Sequence, residues 1–176
     1  MRVFWLVLLG TVLLLNTAAC SNADLKMPED FSLVFAWDTG ALPPEFRYDY
    51  VITIGPGAQA EFEYVPGYGD KNDPDFWVTS FEISEYQLIS IFEYFNNNNF
   101  FRTKWKSGEI RVGGSNTSMI ITAFGKDTRI PSISELDGED LRKVQAAHEF
   151  VRQFVPQGVW DEMERRQVEY ESRQKN

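Results

Sequence analysis

Residues 47–54 and 59–64 alternate between polar and apolar side chains, and the turn sequence Gly55-Pro56-Gly57 lies between them. Side chains two residues apart in a strand point to the same face, so each segment is predicted to be a strand with one apolar and one polar face. The glycines and the proline favour a turn. The two segments therefore predict neighbouring strands of an antiparallel sheet that is covered on one face only.

Two later segments show helical spacing instead. Ser84 and Gln87 form a capping-box pattern ahead of the first, and Asp137-Gly138 precedes the second. The apolar residues at three- and four-residue steps are Leu88, Ile91, Phe92 and Phe95, and then Leu141, Val144, His148, Val151 and Val155. With further strand patterns elsewhere, the sequence predicts an α+β fold: an antiparallel sheet of about five to seven strands packed by two main helices, with a polar C-terminal helix.

The chain has 176 residues, which suits one domain, and its 43% hydrophobic content is enough for a core. Its composition divides it into four parts. We predict a signal peptide at residues 1–19, a lipidated tether at 20–31, a single α+β domain at 32–155 and a C-terminal helical extension at 156–176. Because the extension is rich in charge and has few apolar anchors, its end is predicted to fray.

The N-terminus has the pattern of an export signal. Arg2 precedes an apolar run from Val3 to Leu15, which has the length of a signal-peptide core and is shorter than the roughly 20 residues of a membrane-spanning helix. Small residues 17–19 follow, and then Cys20, the only cysteine. This order resembles the signal of bacterial lipoproteins. The resemblance implies that Cys20 is acylated, with palmitate among the attached lipids, and becomes the N-terminal residue after cleavage.

Two other outcomes remain open, because Thr17 stands where the lipoprotein signal usually has leucine. The chain could be cleaved after Ala19 or Ala23 and secreted, or the apolar run could remain as an uncleaved anchor. All three outcomes place residues 24–176 outside the cytoplasm. The lipoprotein signal further implies an extracytoplasmic protein that is anchored to the bacterial membrane or envelope through the lipid on Cys20.

Residues 83–154 carry a second, partial resemblance. They contain, in order, a capped helix, an asparagine run, a hairpin and a closing helix, marked by Leu88, Phe92, Asn96–Asn99, Gly125-Lys126-Asp127, Leu141 and Val144. This order is similar to that of the emfourin-like family of protein inhibitors of thermolysin-like metallopeptidases, over less than half of the chain. It implies a small α+β module. No residue here can be carried over as an inhibitory one.

The net charge and the numbers of cysteine and histidine residues argue against several classes of function. The chain has 17 Lys and Arg against 26 Asp and Glu, a net charge of −9, which argues against nucleic acid as a partner. One cysteine and one histidine leave no Cys-based zinc site and no nucleophile paired with a base and an orienting group. His148 lies on an apolar helical stripe and is predicted to be a packing residue. We therefore predict no enzymatic activity and no cofactor.

Aromatic residues beside loops are the best sequence sign of a binding surface. Tyr64, Tyr68, Phe76 and Trp77 flank a loop rich in Gly, Pro and Asp, and Trp105 lies in another irregular stretch. Such residues can form a surface for a protein, a peptide or a sugar. The alternative is that they complete the core under the loops.

The same loop contains a cluster of oxygen ligands. Asp70, Asn72, Asp73 and Asp75 could supply part of a calcium site, since calcium takes six to eight oxygen ligands. The spacing does not match an EF-hand, and Lys71 adds a positive charge inside the cluster. Turns rich in Asp and Asn also occur in ordinary loops.

Taken together, the sequence predicts a non-catalytic cell-envelope lipoprotein, a membrane-tethered domain that binds or scaffolds another envelope protein. Two alternatives remain. One is a protein inhibitor of an extracytoplasmic metallopeptidase, which would need a projecting loop or strand edge. The other is a carbohydrate- or calcium-binding accessory domain, which would need converging oxygens or an exposed platform of Tyr68 and Trp77.

Overall fold

A computed structural model describes residues 26–69, 71–106, 108–109 and 113–175. Cys20 and the signal pattern lie outside the described residues. The strands are β1 Ser32–Asp38, β2 Tyr48–Ile54, β3 Gln59–Pro66, β4 Trp77–Glu82, β5 Asn116–Ala123 and β6 Lys126–Ile130. The helices are α1 Glu85–Asn97, α2 Gly138–Arg152 and α3 Gln157–Gln174, with a short 3-10 turn at Ile133–Glu135.

The six strands form one sheet in the order β4-β3-β2-β1-β5-β6, and every neighbouring pair is antiparallel. In the register, Phe35 of β1 lies opposite Ile52 of β2 and Met119 of β5, and Ile52 lies opposite Phe62 of β3. The predicted α+β class is confirmed, with an antiparallel sheet and a helix at the C-terminus.

The helices cover one face of the sheet, as the alternation predicted. Tyr50, Ile52 and Ile54 of β2 are buried, while Val51 and Thr53 between them are only half-buried. The helical residues that join the same core are Leu88, Ile91, Phe92 and Phe95 of α1, Val144, Ala147 and Val151 of α2, and Met163 of α3. Each large apolar side chain buried here stabilises the fold by about 1.5–3 kcal/mol relative to exposure.

The predicted capping box of α1 is present. The Ser84 hydroxyl accepts a hydrogen bond from the backbone N–H of Gln87 at 3.2 Å, and the Gln87 side-chain oxygen accepts from the Ser84 N–H at 2.7 Å. The helix ends at Asn97 in the asparagine run, where Asn99 has a left-handed φ of 57°. Asparagine tolerates that conformation better than most residues, so the run ends the helix.

Two residues at the end of the predicted tether are fixed to the folded domain. Phe31 is buried and packs edge-on against Phe92, with ring centroids 5.3 Å apart. The carboxylate of Asp30 accepts hydrogen bonds from the N–H groups of Phe124 and Gly125 in the β5–β6 turn. The chain therefore enters the domain at the Ser32 end of β1.

Helix α3 packs along the sheet and stays regular to Gln174, where the sequence predicted fraying. Met163, Gln167 and Tyr170 of α3 are buried. The Tyr64 hydroxyl donates to the Gln167 side-chain oxygen at 2.8 Å, so a polar residue that looks like a surface position in the sequence anchors the helix.

None of the described helices combines the length and the apolar content that crossing a bilayer requires.

Candidate functional site

Tyr64 does not belong to a binding surface. Its side chain is 0% exposed, and its hydroxyl is bonded to Gln167. The reason is the alternation of β3, which places Tyr64 on the same face as Ala60 and Phe62, under the helices. For this residue the alternative that it completes the core is the correct one.

Each of the other predicted aromatic side chains lies close to a different cationic side chain. Tyr68 is 60% exposed, and the Arg47 guanidinium lies 4.4 Å from its ring centroid. The corresponding distance from Arg166 to Trp77 is 4.8 Å. The remaining two rings, both half-buried, are Phe76 near Lys71 and Trp105 near Lys143. Tyr68 and Trp77 therefore lie under different cations, and Trp77 packs against the core.

The predicted calcium loop is tied to its surroundings. The side chain of Asp73 accepts a hydrogen bond from the N–H of Asp75 at 2.8 Å, and the carboxylate of Asp75 pairs with Arg173. Asp70 lies outside the described residues. In the part of the chain that the structure describes, no three or more Asp, Glu, His or Cys residues are arranged to hold a metal ion. Calcium binding by Asp70, Asn72, Asp73 and Asp75 stays a prediction.

The structure shows a different site, at the corner between α2 and α3. There the ends of the two helices leave the sheet partly uncovered, and a cavity of about 330 Å³ opens over β1 and β2. A second cavity of about 290 Å³ shares three lining residues with it, Trp37, Glu149 and Arg152. We call the two together the aromatic cleft, which is defined by Trp37, Tyr48, Tyr50, His148, Arg152 and Trp160.

Aromatic rings form the floor of the aromatic cleft. Trp37 stacks on Tyr50 with ring centroids 5.1 Å apart and an interplanar angle of 16°. Trp160 meets Tyr50 edge-on at 5.2 Å, and Tyr48 lies 5.3 Å from Trp37. The Arg152 guanidinium lies 4.9 Å from the Trp160 ring centroid, a cation–π distance. Trp37, Tyr48 and Trp160 are half-buried and line the cavity, while the Tyr50 ring lies buried among them.

Two buried polar atoms at this site have no hydrogen-bond partner among the described residues. They are the Tyr50 hydroxyl and His148 Nε2, on side chains of residues that are 2% and 5% exposed. Both rings contact Phe35: His148 stacks on it at 4.7 Å, and Tyr50 meets it edge-on at 6.1 Å. A buried polar group without a partner is costly, about 1–3 kcal/mol, and calls for an explanation.

Burial keeps both groups neutral at pH 7. Desolvation raises the pKa of Tyr50 well above its usual value and lowers the pKa of His148 to about 4. The charged residues of the site are then Arg152, Glu149 and Glu164. An imidazole with so low a pKa is a weak base at neutral pH. The site therefore combines half-buried aromatic side chains with a rim of charged and amide side chains, which suits binding.

The sequence analysis considered some residues of this site but did not predict that they come together. It placed His148 on a packing stripe, and the residue is indeed buried, but its free Nε2 has no sequence signal. It looked for binding aromatics in loops, whereas Trp37, Tyr50 and Trp160 lie in regular elements. The one available signal was the density of aromatics in residues 37–50, which the alternation assigned to the core.

A scan against protein-family models and a search of the curated proteins both find nothing that matches the chain. The resemblances to bacterial lipoproteins and to emfourin-like inhibitors therefore stay predictions.

Proposed function

We propose that the chain is a non-catalytic cell-envelope lipoprotein whose α+β domain, held at a membrane by a lipid on Cys20, binds another envelope component in the aromatic cleft. The observation that supports this most is the half-buried aromatic surface of Trp37, Tyr48 and Trp160, with the Arg152 guanidinium beside it, along the cavity between α2 and α3. Aromatic side chains that line an open cavity are the kind of surface that binds a ligand.

A binding role fits the chemistry of the aromatic cleft better than catalysis. General acid–base catalysis at neutral pH needs a group with a pKa near the working pH. The pKa of His148 is about 4, so at pH 7 almost none of it is the imidazolium that a general acid requires, and the neutral ring is a weak base. The carboxylates of Glu149 and Glu164 are on the rim, where the role left to them is contact with a ligand.

The membrane anchor is tested with the full chain and a Cys20→Ser variant, expressed in the organism that encodes them. We expect the mature wild-type chain to begin at Cys20, to carry lipid by intact mass, and to partition into the membrane fraction. The variant should lose both the lipid and the partitioning. An unlipidated wild-type chain that begins at Cys20 or Asp24 and is released to the medium would contradict the anchor.

The binding role is tested by co-sedimentation of the soluble Cys20→Ser chain with insoluble envelope material of the same organism. We expect saturable co-sedimentation that Arg152→Gln weakens several-fold, because Arg152 lines both cavities of the aromatic cleft. Arg165→Gln is the matched control, since Arg165 is an exposed, ion-paired arginine of α3 outside the cleft. Equal loss in both variants, or no co-sedimentation at all, would overturn the proposal.

A further inference from the structure

Four connections of the fold lie at the same end of the sheet. In the register, Ser32 of β1 lies opposite Thr122 of β5, and Ile54 of β2 lies opposite Ala60 of β3. Because neighbouring strands are antiparallel, the chain entry before β1, the β2–β3 turn, the link from β4 to α1 and the β5–β6 turn come together there. We call this the entry end, which is defined by residues 26–31, 55–58, 83–85 and 124–126.

The β5–β6 turn at the entry end contains an unusual residue. Phe124 and Gly125 form its two-residue loop, with φ values of 56° and 70°, between the paired residues Ala123 and Lys126. Hairpin turns with two positive φ values favour Asn, Asp or Gly at the first position, because a bulky side chain is strained in the left-handed conformation. Phenylalanine at position 124 is therefore unfavourable for the turn itself.

The fold does not bury the Phe124 side chain to offset this strain. The residue is 54% exposed, and its ring meets Phe92 edge-on at 6.1 Å. Among the described residues, the others with a positive φ that are not glycine are Asn99, a type that tolerates this conformation, and Ala58 in the β2–β3 turn. A strained backbone at an exposed aromatic residue indicates a use outside the core.

The segment that leads to the proposed lipid holds this turn in place. The Asp30 carboxylate accepts hydrogen bonds from the N–H groups of Phe124 at 3.0 Å and of Gly125 at 2.5 Å. Cys20 lies 11 residues before Phe31, a stretch that spans at most about 40 Å even when fully extended. A lipid on Cys20 therefore keeps Phe124 within reach of the bilayer.

The entry end has further apolar surface. A cavity of about 340 Å³ opens beside the chain entry. The apolar residues that line it are Met27, Pro28, Phe31, Pro56, Ala58 and Leu88. Phe31 and Phe124 both contact the ring of Phe92, so the cavity and the turn adjoin the same part of the core. The apolar surface of the entry end therefore extends beyond one side chain.

The charges at the entry end favour an electrically neutral lipid surface. The exposed charged residues there are Lys26, Glu29, Glu85 and Lys126, two of each sign. Anionic lipid attracts clusters of Lys and Arg, and the whole chain has a net charge of −9. A zwitterionic surface accepts an apolar side chain without such a cluster. A weak contact is enough, because a lipid on Cys20 already raises the local concentration of the domain at the bilayer.

We propose that the entry end is a second membrane contact, at which Phe124 inserts into the outer part of the acyl-chain region of a zwitterionic phospholipid bilayer. This inference rests on the lipid anchor of the proposed function and is independent of the aromatic cleft. The anchor alone limits the distance of the domain from the bilayer. The second contact also sets its orientation, with the entry end facing the lipid.

A fluorophore beside Phe124 tests the contact in the lipidated chain. Lipidation occupies the thiol of Cys20, the only cysteine, so Lys126→Cys supplies the only free thiol of the mature protein. This thiol is labelled with an NBD group, and the protein is placed in vesicles of phosphatidylcholine with nitroxide groups on the acyl chains. We expect the nitroxide to quench this label strongly. The matched control is Lys71→Cys, an exposed lysine in the loop between β3 and β4 at the opposite end, where quenching should be slight.

Two variants of Phe124 separate insertion from folding. In the Lys126→Cys chain, Phe124→Ser should remove most of the quenching, because burial of an apolar side chain drives the insertion. Phe124→Leu keeps an apolar side chain and should retain the quenching. Both variants lose the ring contact with Phe92, so a difference between them reports the contact with lipid and not the stability of the turn.

Four results would overturn the membrane contact. They are equal quenching at positions 126 and 71, no quenching at position 126, quenching that Phe124→Ser leaves unchanged, or capture of a second copy or another protein, in place of lipid, by a photoreactive group at position 126 in native membranes. Intact mass of the same samples separates the two proposals. If Cys20 carries lipid in these cases, the anchor stands and the contact fails. If Cys20 carries no lipid, the anchor fails and the contact fails with it.

Discussion

The ring and the hydroxyl group of Tyr50 have opposite effects on the stability of the fold. Its ring is part of the core stack, at 5.1 Å from Trp37 and 5.5 Å from Phe62, and stabilises the fold. Its hydroxyl is buried with no hydrogen-bond partner among the described residues, which destabilises the fold. Phenylalanine at this position would keep the ring contacts and remove the buried polar atom.

The first prediction concerns this hydroxyl. Tyr50→Phe should raise the free energy of unfolding by about 1 kcal/mol, because it removes an unpaired polar atom and keeps the ring. Tyr64→Phe should lower it by about 1 kcal/mol, because it leaves the Gln167 oxygen without its donor. Urea denaturation at pH 7 measures both. A Tyr50→Phe chain less stable than wild type would show that the hydroxyl has a partner in the fold.

The second prediction concerns His148 and pH. Burial lowers its pKa from 6.5 to about 4, so the fold favours the neutral form. As the pH falls, His148 therefore takes up its proton in the unfolded chain at a higher pH than in the folded chain. Its contribution to the free energy of unfolding is fully present above pH 6.5 and is lost as the pH drops toward 4. Between pH 7.5 and 5.5 the free energy of unfolding should fall by about 1.4 kcal/mol from this residue.

The measurement compares denaturation of wild type and His148→Leu at pH 7.5 and 5.5. The leucine variant should lack this part of the pH dependence, since no other histidine is present. The same pH dependence in both chains would place the His148 pKa near its ordinary value and contradict the burial argument.

At the scale of elements, α3 depends on a buried amide. Gln167 accepts from the Tyr64 hydroxyl at 2.8 Å, and its Nε2 donates to the backbone oxygen of Glu45 at 3.1 Å. The side chain therefore joins α3 both to β3 and to the loop before β2. This is why a helix with few apolar residues keeps its position on the sheet.

The third prediction follows from this amide. Gln167→Ala leaves the Tyr64 hydroxyl without its acceptor and the Glu45 carbonyl without its donor, so we expect a loss of about 2–3 kcal/mol in the free energy of unfolding. Arg165→Ala, on the exposed face of α3, should change stability little, because exposed ion pairs contribute little. Thermal and urea denaturation measure both. Similar losses in the two variants would mean that Gln167 acts only through helix propensity.

Strands and helices could be predicted from the sequence where the pattern that marks them spans only a few residues. Alternation predicts β2 and β3, and the capping box predicts the start of α1, because both patterns lie within a few residues. Tyr64 was misplaced because its loop neighbours were weighed above the alternation of its own strand, which already placed it with Phe62. The burial of Gln167 depends on a tyrosine 103 residues away in the sequence, and no local pattern shows that contact.

The aromatic cleft likewise depends on contacts between residues that lie far apart in the sequence, so it is a feature of the whole molecule. Trp37 and Tyr50 meet because β1 pairs with β2 in a register that places them opposite each other. Trp160 joins them only because α3 turns back over the sheet after α2. Composition and periodicity predict that such residues are buried. The register and the turn between helices decide which of their polar atoms are left without partners.

The direction of β1 relates the aromatic cleft to the proposed anchor. The chain enters at Phe31, which is fixed against Phe92, and β1 then runs from Ser32 to Asp38. Trp37 therefore lies six residues beyond the entry point, roughly 20 Å along the strand. A lipid on Cys20 would attach the domain at the Phe31 end and leave the aromatic cleft at the opposite end of the strand.

The fourth prediction is that anchoring leaves the aromatic cleft open. In lipidated wild-type protein on vesicles of neutral phospholipid, tryptophan fluorescence should respond to quenchers as it does in the soluble Cys20→Ser chain, since a distance of roughly 20 Å separates the Phe31 end of the strand from Trp37. Iodide in the aqueous phase should quench the tryptophan fluorescence equally in both forms, whereas brominated acyl chains should not quench it. Quenching by the brominated lipid together with weaker quenching by iodide would contradict this prediction, and the lipid itself would then be the ligand to test.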